Sequence, residues 1–216
     1  MINEKRDKEK TNSFTFLIDA HIHTNQSPCA SITLEETLIR LSGIVDAITV
    51  TDHDFIFEAS NEVLNALQLK YNIKVLTPAV EISSLQGHIL AYGIESVPSN
   101  NSDAKEVIEM IHSEGGIAVA AHPFALLGLD DLIFSLDLDA LEINGSRSSR
   151  INQLAKESAE MIGIPLIGGS DSHTLYHIGT CVTEFFTMIE TAQDLISAVK
   201  KGKCRPLFLT HRGRKH

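Results

Sequence analysis

Short apolar runs rich in β-branched residues alternate along this chain with segments of helical periodicity. The apolar runs occupy residues 16–18, 47–50, 74–80, 88–92, 117–121, 140–144 and 165–170. The first helical segment starts at Thr33, where Glu36 completes a capping box, and the others occupy residues 58–70, 103–114, 148–163 and 191–201. Such alternation is typical of βαβ units and a parallel sheet. Because no glycine-rich phosphate loop follows the first strand, we favour a closed, barrel-like sheet over a doubly wound one.

The length of 216 residues fits a single enzyme-sized domain. Residues 1–12 lack periodicity, so we expect a loose N-terminal lead-in there. We expect residues 13–202 to form the folded domain and residues 203–216 to form a basic C-terminal tail.

Charge is distributed unevenly along the chain. Residues 11–199 contain seven Lys or Arg against 25 Asp or Glu, whereas residues 200–216 contain seven basic residues and no acidic one. An acidic body disfavours nucleic acid as a partner, because affinity for phosphate backbones comes mainly from Lys and Arg. The basic tail is interpreted as a solvated terminus, with a binding arm as the alternative.

The apolar runs are too short to cross a bilayer, and the charged N-terminus does not resemble a secretory signal. We therefore expect no membrane association and a cytoplasmic location. The three cysteines include no Cys-x-x-Cys pair, which indicates reduced thiols and neither a disulfide framework nor a thiolate zinc motif.

Histidines and carboxylates follow several of the predicted strands. The residues at these strand ends are His21, His23, His53, Glu81, His122, Asp171 and His173. In a parallel barrel the carboxyl ends of the strands converge on one face, which is where the active sites of such folds lie. One such histidine alone would be interpreted as a capping or buried side chain. Seven clustered side chains of these types would repel or desolvate one another without a cation between them, so the pattern predicts a metal cluster.

The spacing of these residues indicates more than one metal ion. His21 and His23 alternate along one strand, so both rings project from the same side, and Asp171 and His173 have the same spacing. Glu81 is a lone carboxylate whose two oxygens can bridge two ions. A mixed imidazole and carboxylate set suits zinc, manganese or iron better than calcium or magnesium.

Five ordered motifs resemble the polymerase and histidinol phosphatase (PHP) superfamily of metal-dependent phosphoesterases. They are His21-x-His23, Thr51-Asp52-His53, Glu81, Ala121-His122-Pro123 and Gly169-Ser170-Asp171-Ser172-His173, within residues 14–200. The resemblance implies a distorted, TIM-like (β/α)7 barrel with two or three metal ions. It also implies that His21 and His23 share one ion with Asp171 and a bridging Glu81, that His122 holds a second with Glu81, and that His53 and His173 hold a third.

Two departures from the family pattern leave the number of ions open. Where the family often has Asp or His after the first motif, this chain has Ser27-Pro28-Cys29, and where it often has His after the fourth strand, this chain has Gly93-Ile94. His88 could replace the histidine that is absent after the fourth strand, as a metal ligand or a substrate contact. Alternatively, it could simply be the first residue of a strand. Cys29 could be a thiolate ligand, but we favour a small buried thiol.

Four residues are candidates for contact with a substrate. Arg147 and Arg150 lie in a loop that enters a helix, where guanidinium groups and the helix N-terminus can bind phosphate oxygens. His88 and His177 are weaker candidates.

Three acidic residues, Asp19, Asp52 and Asp54, flank predicted ligand histidines. We expect them either to accept the distal N–H of an imidazole, which is a common way to orient a ligand ring, or to be solvated at the strand ends.

Clustered divalent ions lower the pKa of a bound water towards about 7 and clamp the oxygens of an in-line phosphoryl displacement. We therefore predict a phosphoesterase, either phosphatase or phosphodiesterase, that cleaves a small phosphate ester with a metal-bound hydroxide. Glu81 and Asp171 are its predicted catalytic residues. The alternatives are metal-dependent hydrolysis of an amide bond and a catalytically silent metal-binding module.

Overall fold

The computed structural model describes residues 14–99 and 101–209. Its strands are β1 Phe16–Ile22, β2 Ala47–Val50, β3 Lys74–Leu76, β4 Ala79–Ser83, β5 His88–Tyr92, β6 Ile117–Ala120, β7 Ala140–Asn144, β8 Leu166–Gly169, β9 Cys181–Phe185 and β10 Cys204–Phe208. Its helices are α1 Leu34–Leu41, α2 Asn61–Tyr71, α3 Ala104–Ser113, α4 Ser149–Ile162 and α5 Ala192–Lys200, with a 3₁₀ turn at Asp130–Phe134.

The ten strands form two five-stranded sheets. The first has the order β10-β9-β1-β2-β3, in which β1, β2 and β3 are parallel and β9 runs antiparallel to both neighbours. The second has the order β4-β5-β6-β7-β8, in which β5 runs antiparallel to β4 and β6, while β6, β7 and β8 are parallel. The prediction of a mixed α/β fold is therefore confirmed.

The two sheets approach each other beyond the ends of β1 and β2. One parallel bridge joins Ile22 to Ser172, and another joins His53 to Glu81. These bridges do not extend into ladders, so the described residues form two sheets and not the closed seven-stranded barrel that we predicted. The apolar run 74–80 gave no signal of this division, although it divides into β3 of one sheet and β4 of the other.

The main core lies between the sheets and is closed by α5. Buried residues of both sheets, such as Ile18 and Leu90, pack there with Ile196 of α5. Tyr92 is fully buried in this core, where its hydroxyl donates to the Ala20 carbonyl across the interface at 2.7 Å. Burial of this apolar surface is the dominant stabilising term, at about 25 cal/mol per Å².

Helices cover the outer faces of both sheets. Apolar residues of α1 and α3 pack in two separate buried clusters, around Leu38 and Ile108 respectively. The predicted capping box of α1 is present, since Thr33 Oγ1 accepts from Glu36 N and Glu36 Oε2 accepts from Thr33 N. Gly163 ends α4 with φ of 85°, as its position predicts. No helix in the described ranges is long and apolar enough to cross a membrane.

The segment predicted to be a basic tail begins with a strand. Cys204–Phe208 pairs along its whole length with β9, and Arg205 forms an ion pair with the buried Glu184 at 2.6 Å. Residues 204–208 are therefore part of the first sheet. The predicted lead-in 1–12 and residues 210–216 lie outside the described residues.

Candidate metal centre

The structure brings all seven predicted ligands together where the two sheets meet. The innermost group consists of four buried residues whose ligand atoms lie within 4.8 Å of one another: His21, His23, Glu81 and Asp171. The Nε2 atoms of His21 and His23 are 3.0 Å apart and lie 3.1 and 3.0 Å from Glu81 Oε2. Ile22 between them packs in the opposite direction, into the core beneath α1. Alternation along β1 therefore aims both rings at one point, as predicted.

Glu81 contacts different histidines with its two oxygens. Oε2 faces His21, His23 and, at 3.5 Å, His53. Oε1 lies 3.2 Å from His122 Nε2 and 2.9 Å from His88 Nδ1. A buried carboxylate between two sets of imidazoles has the geometry of a bridging ligand.

The direction of β5 explains why His88 reaches Glu81. This strand runs antiparallel to β4, and its first residue, His88, pairs with Ser83 at the end of β4. The amino end of β5 therefore lies at the same edge as the carboxyl ends of the parallel strands. As a result, His53, Glu81 and His88 have potential ligand atoms within 4.8 Å of one another.

A third group lies on the more exposed side of the centre. Cys29, His23, His53 and His173 have ligand atoms within 4.8 Å of one another. The ring centroids of His53 and His173 are 4.7 and 4.2 Å from that of His23. Cys29 is exposed, so our interpretation of it as a small buried thiol is wrong. Sequence alone could not show that the 24–30 loop folds back over the histidines.

The charge balance of the centre depends on burial and on the close carboxylates. Burial alone would lower the pKa of His23, but hydrogen bonds with Asp171, Cys29 and Glu81 raise it to about 10. Burial alone would raise the pKa of Glu81, but His21 and the hydrogen bonds from His122, His21 and His23 hold it well below its usual range. Glu81 thus remains ionised among these imidazoles.

The outer histidines behave differently. Burial lowers the pKa of His53 to about 4, and burial together with the neighbouring His23 lowers the pKa of His173. Both imidazoles are therefore neutral at neutral pH, which is the form that binds metal ions.

The residues at this centre fit a metal cluster. Among the described residues, the buried Nδ1 atoms of His23, His53 and His122 have no hydrogen-bond partner. Buried polar atoms are usually paired. Three imidazoles that direct Nε2 at Glu81 and leave a buried Nδ1 unpaired therefore fit a metal site at Glu81. Imidazole and carboxylate donors suit zinc, manganese or iron.

Glu142 orients His21 and was not identified from the sequence. Its Oε1 lies 2.8 Å from His21 Nδ1, and its Oε2 accepts from the backbone N–H of His122 and from Asn144 Nδ2. Because an ionised carboxylate only accepts, His21 donates from Nδ1 and keeps Nε2 free for a metal. The available signal was a carboxylate between two apolar residues, Leu141 and Ile143, of β7.

The flanking aspartates orient backbone and not imidazoles. Asp52 accepts from Thr24 N and Oγ1, and Asp54 accepts from Ser83 N at 2.7 Å. Asp19 accepts from Ser170 N at 2.9 Å and, because of its burial, has a pKa raised to about 7. The first of our two alternatives, contact with the ligand rings, is therefore not observed for these residues. The second, solvation at the strand ends, does not describe Asp19 and Asp52, which are fully buried.

Two ligand residues have left-handed backbone. His122 has φ of 31° and Asp171 has φ of 51°. Such conformations are costly for residues with a Cβ and occur often at functional sites. Gly169 is needed beside them, because a Cβ there would lie 2.3 Å from His21 Cβ and 2.7 Å from Glu142 Oε1.

The predicted substrate residues differ in their placement. Arg147 Nη2 donates to Asp171 Oδ2 at 2.8 Å, while its buried Nε has no partner in the described part of the chain. Arg150 is exposed on the first turn of α4. The ring of His177 packs edge-on against Tyr176, with 4.9 Å between centroids. Only His88 and Arg147 of these four contact the proposed ligands.

Comparison with known proteins places this fold among PHP-like proteins. Residues 150–204 match the family model described as PHP-associated. An uncharacterised protein of Methanocaldococcus jannaschii is 29% identical over 154 residues, which cover 63% of this chain and 87% of that protein. The match to the PHP-associated family model confirms the resemblance to the PHP superfamily drawn from the motifs, and the solved structures below have a similar fold.

Two solved structures illustrate the similarity of fold. PsfC of Pseudomonas syringae has a TM-score of 0.68 at 18% identity, covering 92% of this chain and 93% of PsfC. A two-domain protein of Bacteroides vulgatus containing a predicted PHP-like metal-dependent phosphoesterase has a TM-score of 0.69 at 18% identity, covering 90% of this chain and 65% of that protein. The chain therefore spans less than two thirds of the Bacteroides protein. An amidohydrolase of Chromobacterium violaceum also has this fold, with a TM-score of 0.58 at 18% identity, covering 72% of this chain and 87% of that protein.

The expectation that nucleic acid is excluded as a partner is wrong. Endonuclease Q in complex with a 27-mer duplex carrying an abasic lesion has a TM-score of 0.65 at 17% identity, covering 92% of this chain and 61% of that protein. Endonuclease Q of Pyrococcus furiosus is similarly related, with a TM-score of 0.64. The acidic body of this chain is therefore not a sufficient reason to disfavour nucleic acid, because a DNA-bound protein has a similar fold.

Proposed function

We propose that this protein is a phosphoesterase that uses two or three divalent ions of zinc, manganese or iron. The proposed ligands are His21, His23, His53, Glu81, His122, Asp171 and His173. The observation that carries the proposal is the position of Glu81, whose Oε2 faces His21 and His23 while its Oε1 faces His122. Bound ions of this kind lower the pKa of water and withdraw charge from a phosphoryl oxygen.

Glu81 and Asp171 are the proposed catalytic residues. Asp171 Oδ1 lies 3.6, 3.5 and 3.4 Å from nitrogens of His21, His23 and His173, while its Oδ2 accepts from Arg147. One carboxylate oxygen thus faces the metal ligands and the other fixes the guanidinium. His88 keeps Glu81 Oε1 in place or contacts the substrate directly.

Substrate access is proposed from the side of His173 and Arg147. Their side chains are each 33% exposed, whereas those of His21 and Glu81 are 0% and 1% exposed. We propose that the exposed N–H groups of the Arg147 guanidinium bind the oxygens of a small phosphate ester. Arg150, on the first turn of α4, and His177, in the loop after β8, would contact the rest of such a substrate.

The experiment is a hydrolysis panel with purified protein loaded separately with manganese and zinc. The substrates are an aryl phosphomonoester, an aryl phosphodiester, a mononucleotide, a duplex with an abasic site, and a set of amides. The proposal expects phosphoester cleavage, with loss of turnover in Glu81→Gln and Asp171→Asn. The matched control is Glu184→Gln, because Glu184 is also buried but is paired with Arg205 near the start of β1.

The outcomes separate the possible functions. Amide cleavage without phosphoester cleavage would indicate the amidohydrolase alternative. Bound metal with no turnover on any substrate would indicate a catalytically silent module. Faster cleavage of the abasic duplex than of the small esters would retain the phosphoesterase but reject the small substrate.

A further inference from the structure

The loop after β1 places a thiol beside three histidines of the centre. The Sγ of Cys29 and the nearest ring nitrogens of His23, His53 and His173 all lie within 4.8 Å of one another. Cys181 and Cys204, in contrast, are buried within strands of the first sheet. Among the described residues, Cys29 is thus the one cysteine whose sulfur lies close enough to histidine nitrogens to bind a metal ion with them.

Hydrogen bonds hold the loop in this position from both sides. Ser31 N donates to the His173 carbonyl at 3.3 Å, and His53 N donates to Ser27 Oγ at 3.5 Å. Ser27 Oγ also lies 3.1 Å from Cys29 Sγ. Hydrogen bonds therefore connect the loop that carries the thiol to both His53 and His173.

Independent evidence for a ligand comes from the neighbouring imidazoles. His23 is completely buried, and its Nδ1 has no hydrogen-bond partner among the described residues. The buried Nδ1 of His53 also has none. These unpaired nitrogens occur in two of the three histidines grouped with Cys29, which is the arrangement expected where a cation completes the site.

We infer that Cys29 is a thiolate ligand that, with His53 and His173, binds one ion of the centre. This inference rests on the proposed metal-dependent function and adds the identity of a ligand and a metal preference. One thiolate and two imidazoles leave a fourth position open, as in catalytic zinc sites with three protein ligands. Thiolate favours zinc over manganese or magnesium, so this position differs from the carboxylate-rich group of His21, Glu81 and Asp171.

Cobalt substitution tests the inference directly. Co²⁺ bound to a thiolate gives a near-ultraviolet charge-transfer band that imidazole and carboxylate ligands do not give. The wild-type protein loaded with Co²⁺ is expected to show this band, and Cys29→Ser is expected to lose it together with about one bound ion. Cys204→Ser is the matched control and should retain both. Cys29→Asp should restore the lost ion without the band, because an oxygen ligand replaces the sulfur.

A second measurement follows the thiol without any enzymatic assay. Zinc at 100 times its dissociation constant should slow alkylation of Cys29 about 100-fold, because only the metal-free fraction reacts. A chelator should restore the rate.

The outcomes distinguish this inference from the proposed function. Bound cobalt without the band, or unchanged alkylation in saturating zinc, would overturn the role of Cys29 while leaving the metal centre intact. The band together with no hydrolysis of any substrate would support the ligand and reject the phosphoesterase. A wild-type protein that binds no cobalt would reject both.

Discussion

Replacing Glu142 with Gln should weaken metal binding although Glu142 lies outside the proposed ligands. Its two oxygens serve His21 Nδ1 on one side, and His122 N and Asn144 Nδ2 on the other, at 2.8, 2.7 and 3.0 Å. A glutamine has only one oxygen, so its NH₂ must face a donor on one side. One buried donor then remains unpaired, at a cost of about 1–3 kcal/mol.

The effect on the metal follows from the orientation of His21. Loss of the partner that orients a ligand histidine typically costs about 10–100-fold in metal affinity or activity, or about 1.4–2.7 kcal/mol. The assay is a competition titration with a chromophoric chelator, together with urea unfolding of the metal-free protein. Glu142→Gln should bind zinc about 10–100-fold more weakly and unfold at lower urea.

Glu184→Gln provides the comparison for this prediction. Glu184 is likewise a buried strand carboxylate, but it is paired with Arg205 on the far part of the first sheet. This variant should lose stability and keep the wild-type zinc affinity. Wild-type affinity in Glu142→Gln, or an equal loss of affinity in both variants, would refute the assigned role of Glu142.

Three further predictions follow from the packing and charges of the structure. Gly169→Ala should destabilise the metal-free protein by about 1–3 kcal/mol in urea unfolding and reduce metal content, because its Cβ would lie 2.3 Å from His21 Cβ. Arg147→Ala should raise KM for a phosphate ester about 10-fold, or about 1.4 kcal/mol, and Arg150→Ala should raise KM less because Arg150 is exposed; equal KM effects would contradict this. Burial raises the pKa of Cys204 from 9.0 to about 12, so the unfolded thiol loses its proton first and stability falls between these pH values. Urea unfolding from pH 8 to 11 should show a smaller decline in Cys204→Ala, and parallel declines would contradict the shift.

The regular elements were largely predictable because their signals are local. The capping box at Thr33 and the left-handed Gly163 mark helix ends through short-range hydrogen bonds and backbone conformation. The β9 and β10 strands were not predicted, because they pair antiparallel at the edge of a sheet that appeared parallel from the sequence. The division between the two sheets at residues 77–78 was also not predicted, since residues 74–80 form one apolar run in the sequence.

The centre was predictable where chain direction alone determines position. His21 lies near the carboxyl end of β1, and His53 and Asp171 follow strands that run in the same direction, so their convergence required only the order of the elements. The position of Cys29 depends on the path of a loop, and the only signal for Glu142 was a carboxylate between two apolar residues, which does not show which imidazole it contacts. The acidic charge of the body was not a sufficient reason to disfavour nucleic acid, because a DNA-bound endonuclease has a similar fold.

Elemental analysis of protein purified without chelator tests the central claim most directly. The number of bound ions reports on the whole cluster and does not depend on finding a substrate. We predict two or three ions of zinc, manganese or iron per wild-type chain, and a loss of more than one ion in Glu81→Ala because both oxygens of Glu81 face ligand histidines. One ion or none in the wild-type protein, or wild-type metal content in Glu81→Ala, would contradict the account.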